Sequence, residues 1–121
     1  MLKLTKAEEE VMRIIWARGA CLVSQILEDL TGADGKKPPH STISSIVRIL
    51  EKKGFVDHKA YGRTYEYFPV VAEADYKKTS LRGLVQNYFD GSAKQLVSFL
   101  VKQEDLSAEE LEQLLNQLEE E

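Results

Sequence analysis

The stretch from His40 to Pro69, HSTISSIVRILEKKGFVDHKAYGRTYEYFP, constrains the fold of this chain more than any other part. At about 100° per residue, four apolar side chains of its first half fall on one side of a helix: Ile43, Ile46, Val47 and Leu50. Gly54 has the position of a helix stop, so the helix is predicted from about Pro39 to Lys53. The segments FVDHKA and TYEYFP then alternate at period two around YGR, which predicts a hairpin whose Gly62 supplies the unusual turn dihedral.

Two further helices are predicted before this stretch. Thr5 and Glu8 have the spacing of a capping box, and the apolar stripe after them predicts a helix that runs to about Ala17. The segment ACLVSQILEDLTG predicts a shorter helix over roughly 23–30. Between the two helices, residues 21–22 leave room for one short strand that could pair at the edge of the hairpin.

The order helix, short strand, helix, turn, helix and hairpin is that of a winged helix-turn-helix. In that arrangement two helices support a third one in the DNA major groove, and the hairpin reaches the neighbouring backbone. The predicted fold class is therefore mainly α, with a winged helix-turn-helix and a small antiparallel β-sheet over residues 1–72. Residues 73–121 are predicted to form a second, helical domain.

Charge is distributed unevenly along this acidic chain, whose net charge is −4. Residues 36–68 carry seven Lys and Arg against three Asp and Glu, a balance of +4. The segments before and after them have balances of −2 and −6. A single basic region in an acidic protein is the pattern expected when one face meets phosphate.

The outer face of the third helix carries small polar residues that would let its backbone approach base edges. Basic and aromatic side chains before this helix, at its far end and on the wing would meet the DNA backbone. By this reasoning the candidate DNA-binding residues are Lys36, Lys37, Ser41, Ser44, Ser45, Arg48, Lys52, Lys59, Tyr61 and Arg63. Lys53, at the far end of the helix, is also placed to meet a phosphate. Some winged helices bind proteins instead, so an interaction module without specific DNA binding is the alternative.

The second domain repeats apolar residues at helical spacing in three segments, and Ser107 with Glu110 repeats the capping-box spacing before the last one. Three helices in about 50 residues bury too little surface by themselves, so we expect a symmetric dimer. Packing of these helices on the N-terminal domain of a monomer is the alternative. The candidate dimerisation residues are Leu81, Leu84, Val85, Tyr88, Leu96, Val97, Leu100, Val101, Leu111, Leu114, Leu115 and Leu118.

Other chemistry has little support in the sequence. His40 and His58 lack metal-ligand spacing, and Cys21 between apolar neighbours is expected to be a small buried residue rather than a nucleophile. We therefore expect no metal, no cofactor and no enzymatic activity. The chain has neither an apolar run long enough to span a bilayer nor the pattern of a secretion signal, which predicts a cytoplasmic protein without membrane insertion.

Four blocks carry a family resemblance: LTKAEEEVMRIIW, KGFVDHK, YEYFPVV and LVSFLVKQEDLSAEELEQL. In this order and spacing they resemble the BlaI/MecI family of penicillinase repressors, over 4–118. The resemblance implies a homodimeric repressor that binds a palindromic double-stranded DNA operator and blocks transcription of resistance or related genes. It also implies that Thr42, which matches a base-contacting Thr of the family, takes part in DNA binding.

The family further implies a switch. A membrane sensor protease system that detects β-lactam leads to cleavage within the fifth helix, and the matching bond here joins Phe99 to Leu100. Well-known members have an Asn-Phe bond at this place, and the Asn is absent here. Ser44 stands where they carry an Arg, so their operator sequence does not transfer. The paired C-terminal cysteines of the copper-responsive branch are also absent.

Overall fold

The structure is a computed structural model that describes residues 3–30, 35–103, 107, 109–110, 112–113 and 116. It divides into two compact units, Met1–Lys77 and Lys78–Glu121. The division falls within a helix, five residues beyond the predicted domain boundary between residues 72 and 73. The predicted boundary stays a prediction. The elements in chain order are α1 (Lys6–Arg18), α2 (Val23–Asp29), α3 (His40–Lys52), β1 (Val56–Tyr61), β2 (Thr64–Pro69), α4 (Glu73–Tyr88) and α5 (Ala93–Gln103).

These elements confirm the predicted fold class, a winged helix with a helical C-terminal region. α1 begins at the predicted capping box, in which the amide of Thr5 donates to Oε1 of Glu8 at 2.9 Å. The amide of Glu8 donates in return to Oγ1 of Thr5 at 3.2 Å. Each bond satisfies an amide that the first helical turn would leave without a partner.

β1 and β2 form the predicted hairpin, with Val56 opposite Pro69 and Tyr61 opposite Thr64. The loop therefore has two residues, and Gly62, the first of them, has a φ of 63°. That conformation suits a tight hairpin turn and strains other residue types. A bridge between Cys21 and Tyr67 adds the predicted short third strand, with amide-to-carbonyl distances of 2.9 and 2.8 Å.

The core of the first unit lies between α1, α2, α3 and the inner face of the hairpin. Its buried apolar residues are Leu4, Val11, Met12, Ile15, Cys21, Ile26, Ile43, Val47, Leu50, Phe55, Val56 and Tyr67. Phe55, in the short connection from α3 to β1, is fully buried. Burial of this apolar surface is the main force that holds the third helix and the wing side by side.

The first turn of α4 is attached to this core. Nε1 of Trp16 donates to the carbonyl of Val71 at 2.8 Å, and the hydroxyl of Tyr76 donates to Glu9 at 2.9 Å. The Tyr76 ring also packs at 5.6 Å from Phe55 and 5.7 Å from Trp16, measured between ring centroids. The start of α4 therefore belongs structurally to the winged helix.

The second unit holds the rest of α4 and α5, and none of the described residues of these two helices is buried. Phe89 and Phe99 contact each other edge to face, with ring centroids 5.6 Å apart. The amide of Glu110 donates to Oγ of Ser107 at 3.1 Å, as the predicted cap requires. Four candidate dimerisation residues lie outside the described residues: Leu111, Leu114, Leu115 and Leu118.

Candidate nucleic-acid interface

The outer face of α3 presents the predicted polar side chains to solvent. Ser44 is half-buried, and the exposed ones are Ser41, Thr42, Ser45, Arg48 and Lys52. Oγ of Ser45 donates to the carbonyl of Ser41 at 3.0 Å. Because that bond uses the hydroxyl proton, Ser45 is left with lone pairs that accept hydrogen bonds from outside the helix.

A groove runs between α3, the hairpin and the start of α2. It is lined by Leu22, Val23, Ser24, His40, Ser44, Arg48, Arg63, Thr64, Tyr65 and Tyr67. The groove brings together Ser44, Arg48 and Arg63, three residues from the sequence-based candidate set. Two guanidinium groups and several hydroxyls in one concave surface match the donor chemistry that phosphate and base edges require.

The sequence-based candidate set did not include five groove residues with polar side-chain groups: Ser24, His40, Thr64, Tyr65 and Tyr67. The signal for Tyr65 was present in the alternation of β2, because Tyr65 and Tyr67 are two residues apart and therefore share a face. Which of the two hairpin faces turns toward α3 depends on the packing of Val56 and Tyr67, which are buried.

The other face of the hairpin carries Lys59 and Tyr61, which are both exposed. Nζ of Lys59 lies 5.9 Å from the centre of the Tyr61 ring. The predicted wing residues therefore divide: Arg63 lines the groove, whereas Lys59 and Tyr61 project from the opposite side of the strand pair.

Thr42 lies on the opposite flank of α3 from Ser44. It borders a shallow apolar pocket against α1 and the end of α2, together with Ala7, Glu10, Val11, Leu30, Pro38, Ile43 and Ile46. Residues two apart on a helix are separated by about 200°, which explains this division. The candidate contacts of α3 thus spread across a broad face rather than a narrow stripe.

The lysines around α3 differ in their surroundings. Lys36, Lys37 and Lys52 are exposed, and the positive charge of Lys37 contributes to lowering the pKa of Asp29. The larger cause of that lowered pKa is Arg18, whose Nε and terminal nitrogen donate to Asp29 at 2.7 and 3.0 Å. Arg18 is thereby paired with Asp29 within the protein.

Lys53 is also engaged within the protein. Its Nζ donates to Oε1 of Glu8 at 2.6 Å and to the carbonyl of Lys3 at 3.1 Å. Burial raises the pKa of Glu8, but the hydrogen bonds from Lys53 and Thr5 outweigh burial, so that its pKa is lowered. Lys53 therefore links the end of α3 to α1. Its charge is paired within the protein, so Lys53 is no longer counted among the candidate phosphate contacts.

Behind the groove, Nδ1 of His58 pairs with a carboxylate oxygen of Glu51. The backbone amide of His58 donates to Asp57 at 2.8 Å, and one ligand atom from each of these three side chains lies within 4.8 Å of the others. Among the described residues this is the group that could hold a metal ion. The direct pairing of His58 with Glu51 already gives each of these two side chains a partner within the protein.

Cys21 is fully buried, as the sequence predicted. Burial raises the pKa of its thiol to about 11. The thiol is therefore protonated near neutral pH, and a buried protonated thiol is a poor nucleophile.

None of the candidate dimerisation residues in α4 and α5 is buried within a single chain. Leu81, Leu84, Tyr88 and Val101 are exposed, while Val85, Leu96, Val97 and Leu100 are half-buried. Phe99, on one side of the candidate cleavage bond, is 48% exposed, and both Phe99 and Leu100 lie within α5.

In the part of the chain that the structure describes, no helix is long and apolar enough to cross a membrane.

Comparison with known proteins adds an independent line of evidence. The family model described as penicillinase repressor matches residues 4–120. The methicillin resistance regulatory protein MecI of Staphylococcus aureus strain N315 is 32% identical over 114 residues, which are 94% of this chain and 91% of that protein. The penicillinase repressor of Bacillus licheniformis is 28% identical over 118 residues, or 98% of this chain and 91% of the relative.

The match extends from the first turn of the winged helix to the C-terminal region, so it covers both compact units. It agrees with the blocks on which the resemblance was based. The chain therefore belongs to the penicillinase repressor family, whose members are transcriptional repressors and not enzymes.

Proposed function

We propose that this protein is a homodimeric repressor that binds a palindromic DNA operator in the cytoplasm. The observation that carries the proposal is the groove in which α3 and the wing bring Ser44, Arg48 and Arg63 together. α3 would enter the major groove, and the two arginines would contact phosphates beside it. Family membership and the local positive charge of residues 36–68 support the same reading.

The dimer is supported by the second unit. Exposed apolar side chains at helical spacing, such as Leu81, Leu84 and Tyr88, favour association with another helical surface. A second copy of the same chain is the simplest partner, because two-fold symmetry would also match an inverted repeat in the DNA.

The first experiment is selection of binding sites from a random pool of duplex DNA at near-physiological salt. We expect enrichment of an inverted repeat, with half-sites one or more helical turns apart, and binding that weakens steeply as salt increases. A folded protein that enriches no sequence would contradict the proposal. It would favour a winged helix that binds another protein.

Variants of the interface separate specificity from affinity. Arg63→Ala should weaken binding to all duplexes alike, since a phosphate contact carries no sequence information. Thr42→Ala should instead reduce discrimination between selected and scrambled duplexes. Lys78→Ala, at an exposed position outside the winged-helix unit, is the control for simple loss of one positive charge. Unchanged discrimination in Thr42→Ala would place the base-reading face elsewhere on α3.

We further propose that proteolysis in α5 relieves repression, under the control of a membrane sensor protease system. The half-exposed Phe99 marks the region to examine. Cutting would separate two linked DNA-binding units, and loss of their effective concentration weakens binding about 10² to 10⁴-fold. Mass spectrometry of the protein from cells before and after β-lactam exposure should detect a fragment ending near residue 99. An intact chain under full derepression would refute this mode of relief.

A further inference from the structure

Tyr65 lines the groove between α3 and the wing, and the residue is 48% exposed. It borders the same groove as Ser44 and Arg48 of α3. Its partner across the hairpin is Ala60, which is too small to cover the ring from β1. An amphipathic aromatic side chain is thereby presented beside the polar face of the third helix.

The Tyr65 ring is restrained by its contact with His58. The His58 ring stacks on the Tyr65 ring with centroids 4.3 Å apart and an angle of 26° between the planes. Nδ1 of His58 in turn pairs with Glu51 in the last turn of α3. Glu51, His58 and Tyr65 therefore form a continuous chain of contacts from the third helix to the groove.

Such a chain of contacts reduces the rotamers open to Tyr65 before any ligand arrives. A side chain that is already ordered loses less conformational entropy on binding. Arg48 and Arg63 border the same groove, so an anion is attracted to the place where the phenol is presented. A phenolic hydroxyl in a groove that is also lined by two arginines is a suitable hydrogen-bond donor to a phosphate oxygen.

We propose that Tyr65 is a further DNA-contacting residue of the wing, with its hydroxyl donating to a backbone phosphate, and that His58 is the residue that positions it. The inference rests on the proposed function and deepens it, because it assigns a contact to the inner face of the hairpin. Tyr61, the wing aromatic named from the sequence, projects from the other face and lacks this support.

The hydroxyl is tested with Tyr65→Phe on the selected operator at one fixed salt concentration. A hydrogen bond to a charged group is worth enough that affinity should fall about tenfold. Ser80→Ala, which removes a hydroxyl from an exposed position of α4 outside the candidate dimerisation residues, is the control and should bind within about twofold of the wild type. Tyr65→Phe binding as tightly as the wild type would overturn the assignment of the hydroxyl.

The positioning role of His58 is tested with a double-mutant cycle. His58→Ala should weaken operator binding in the wild-type background and add less than about twofold in a Tyr65→Ala background, since its effect passes through Tyr65. His58→Phe keeps a stacking ring and should recover part of the affinity. Equal losses in both backgrounds would refute the positioning role, and they would indicate that His58 only supports the fold.

Failure of this inference and failure of the proposed function give different results. If the wild-type protein enriches no duplex, the proposed function is wrong and the role of Tyr65 is refuted with it. If the wild type binds its operator and the Tyr65 variants bind equally well, only the inference is wrong. Trp16 fluorescence during unfolding verifies that each variant retains the winged helix.

Discussion

The two units of this chain differ in how they use apolar residues. In the winged-helix unit twelve of the described apolar residues are buried, from Leu4 to Tyr67. In the second unit α4 and α5 contain as regular a helical pattern, yet none of their described residues is buried within the single chain. The same periodicity therefore completes a core in one unit, whereas in the other it leaves a surface that is suited to association.

This contrast predicts that mutations in the first unit change stability, whereas those in the second change assembly. The largest expected effect is that of Phe55→Ala, which empties a fully buried position. Such a truncation costs about 3 to 5 kcal/mol of unfolding free energy. Urea unfolding followed by the fluorescence of Trp16, the chain's single tryptophan, measures it.

Phe99→Ala is the matched variant in the second unit, because Phe99 is 48% exposed. It should leave the Trp16 transition within about 0.5 kcal/mol of the wild type, as surface substitutions do. If Phe99→Ala lowered the free energy of unfolding as much as Phe55→Ala does, the stabilities of the two units would not be separate.

The next effect concerns assembly. Leu84→Glu places a charge on the exposed apolar stripe of α4 and should convert a dimer into monomers, as measured by sedimentation equilibrium. Operator affinity should fall about 100-fold, because two half-sites are no longer bound by linked units. Gln86→Glu adds the same charge at an exposed position off the stripe and should leave the dimer intact. Equal dissociation by both variants would count against a specific interface.

A smaller effect is expected for Glu8→Gln, which keeps the capping geometry but removes the charge that faces Lys53. Lys53 keeps its bond to the carbonyl of Lys3, but loss of the hydrogen bond between two charged groups should cost about 2 kcal/mol at neutral pH. The pKa of Glu8 is lowered from 4.5, so its stabilisation is present above that pH and disappears as the pH falls through the lowered value.

The difference between wild type and Glu8→Gln should therefore shrink in acid. Unfolding curves between pH 7 and pH 3 measure it, with Glu10→Gln on the exposed side of α1 as the control. A difference that stays constant over this range would mean that the charge of Glu8 contributes nothing.

The smallest effect is that of Lys59→Ala on the outer face of the wing. We expect operator binding to weaken a few-fold and the dependence on salt to become less steep by about one unit per lost phosphate contact. Titrations at several salt concentrations measure the slope. An unchanged slope would exclude Lys59 from the interface and leave the groove residue Arg63 as the wing's cation.

Much of the fold could be predicted because it is set by local rules. The capping box at Thr5, the apolar face of α3 and the glycine in the hairpin turn are properties of short segments. Their positions agree with the structure to within one or two residues. The candidate contacts Arg48 and Arg63 could likewise be named from a polar helix face and a basic turn.

The sequence by itself thus determined the elements, their order and the positive charge of residues 36–68. Tertiary structure decided which side chains share a surface. It engaged Lys53 with Glu8, paired His58 with Glu51, and turned Tyr65 rather than Tyr61 into the groove. The physical reason is that helical and strand periodicities fix faces within one element, whereas the packing of buried residues such as Phe55 and Tyr67 fixes how the faces of different elements meet.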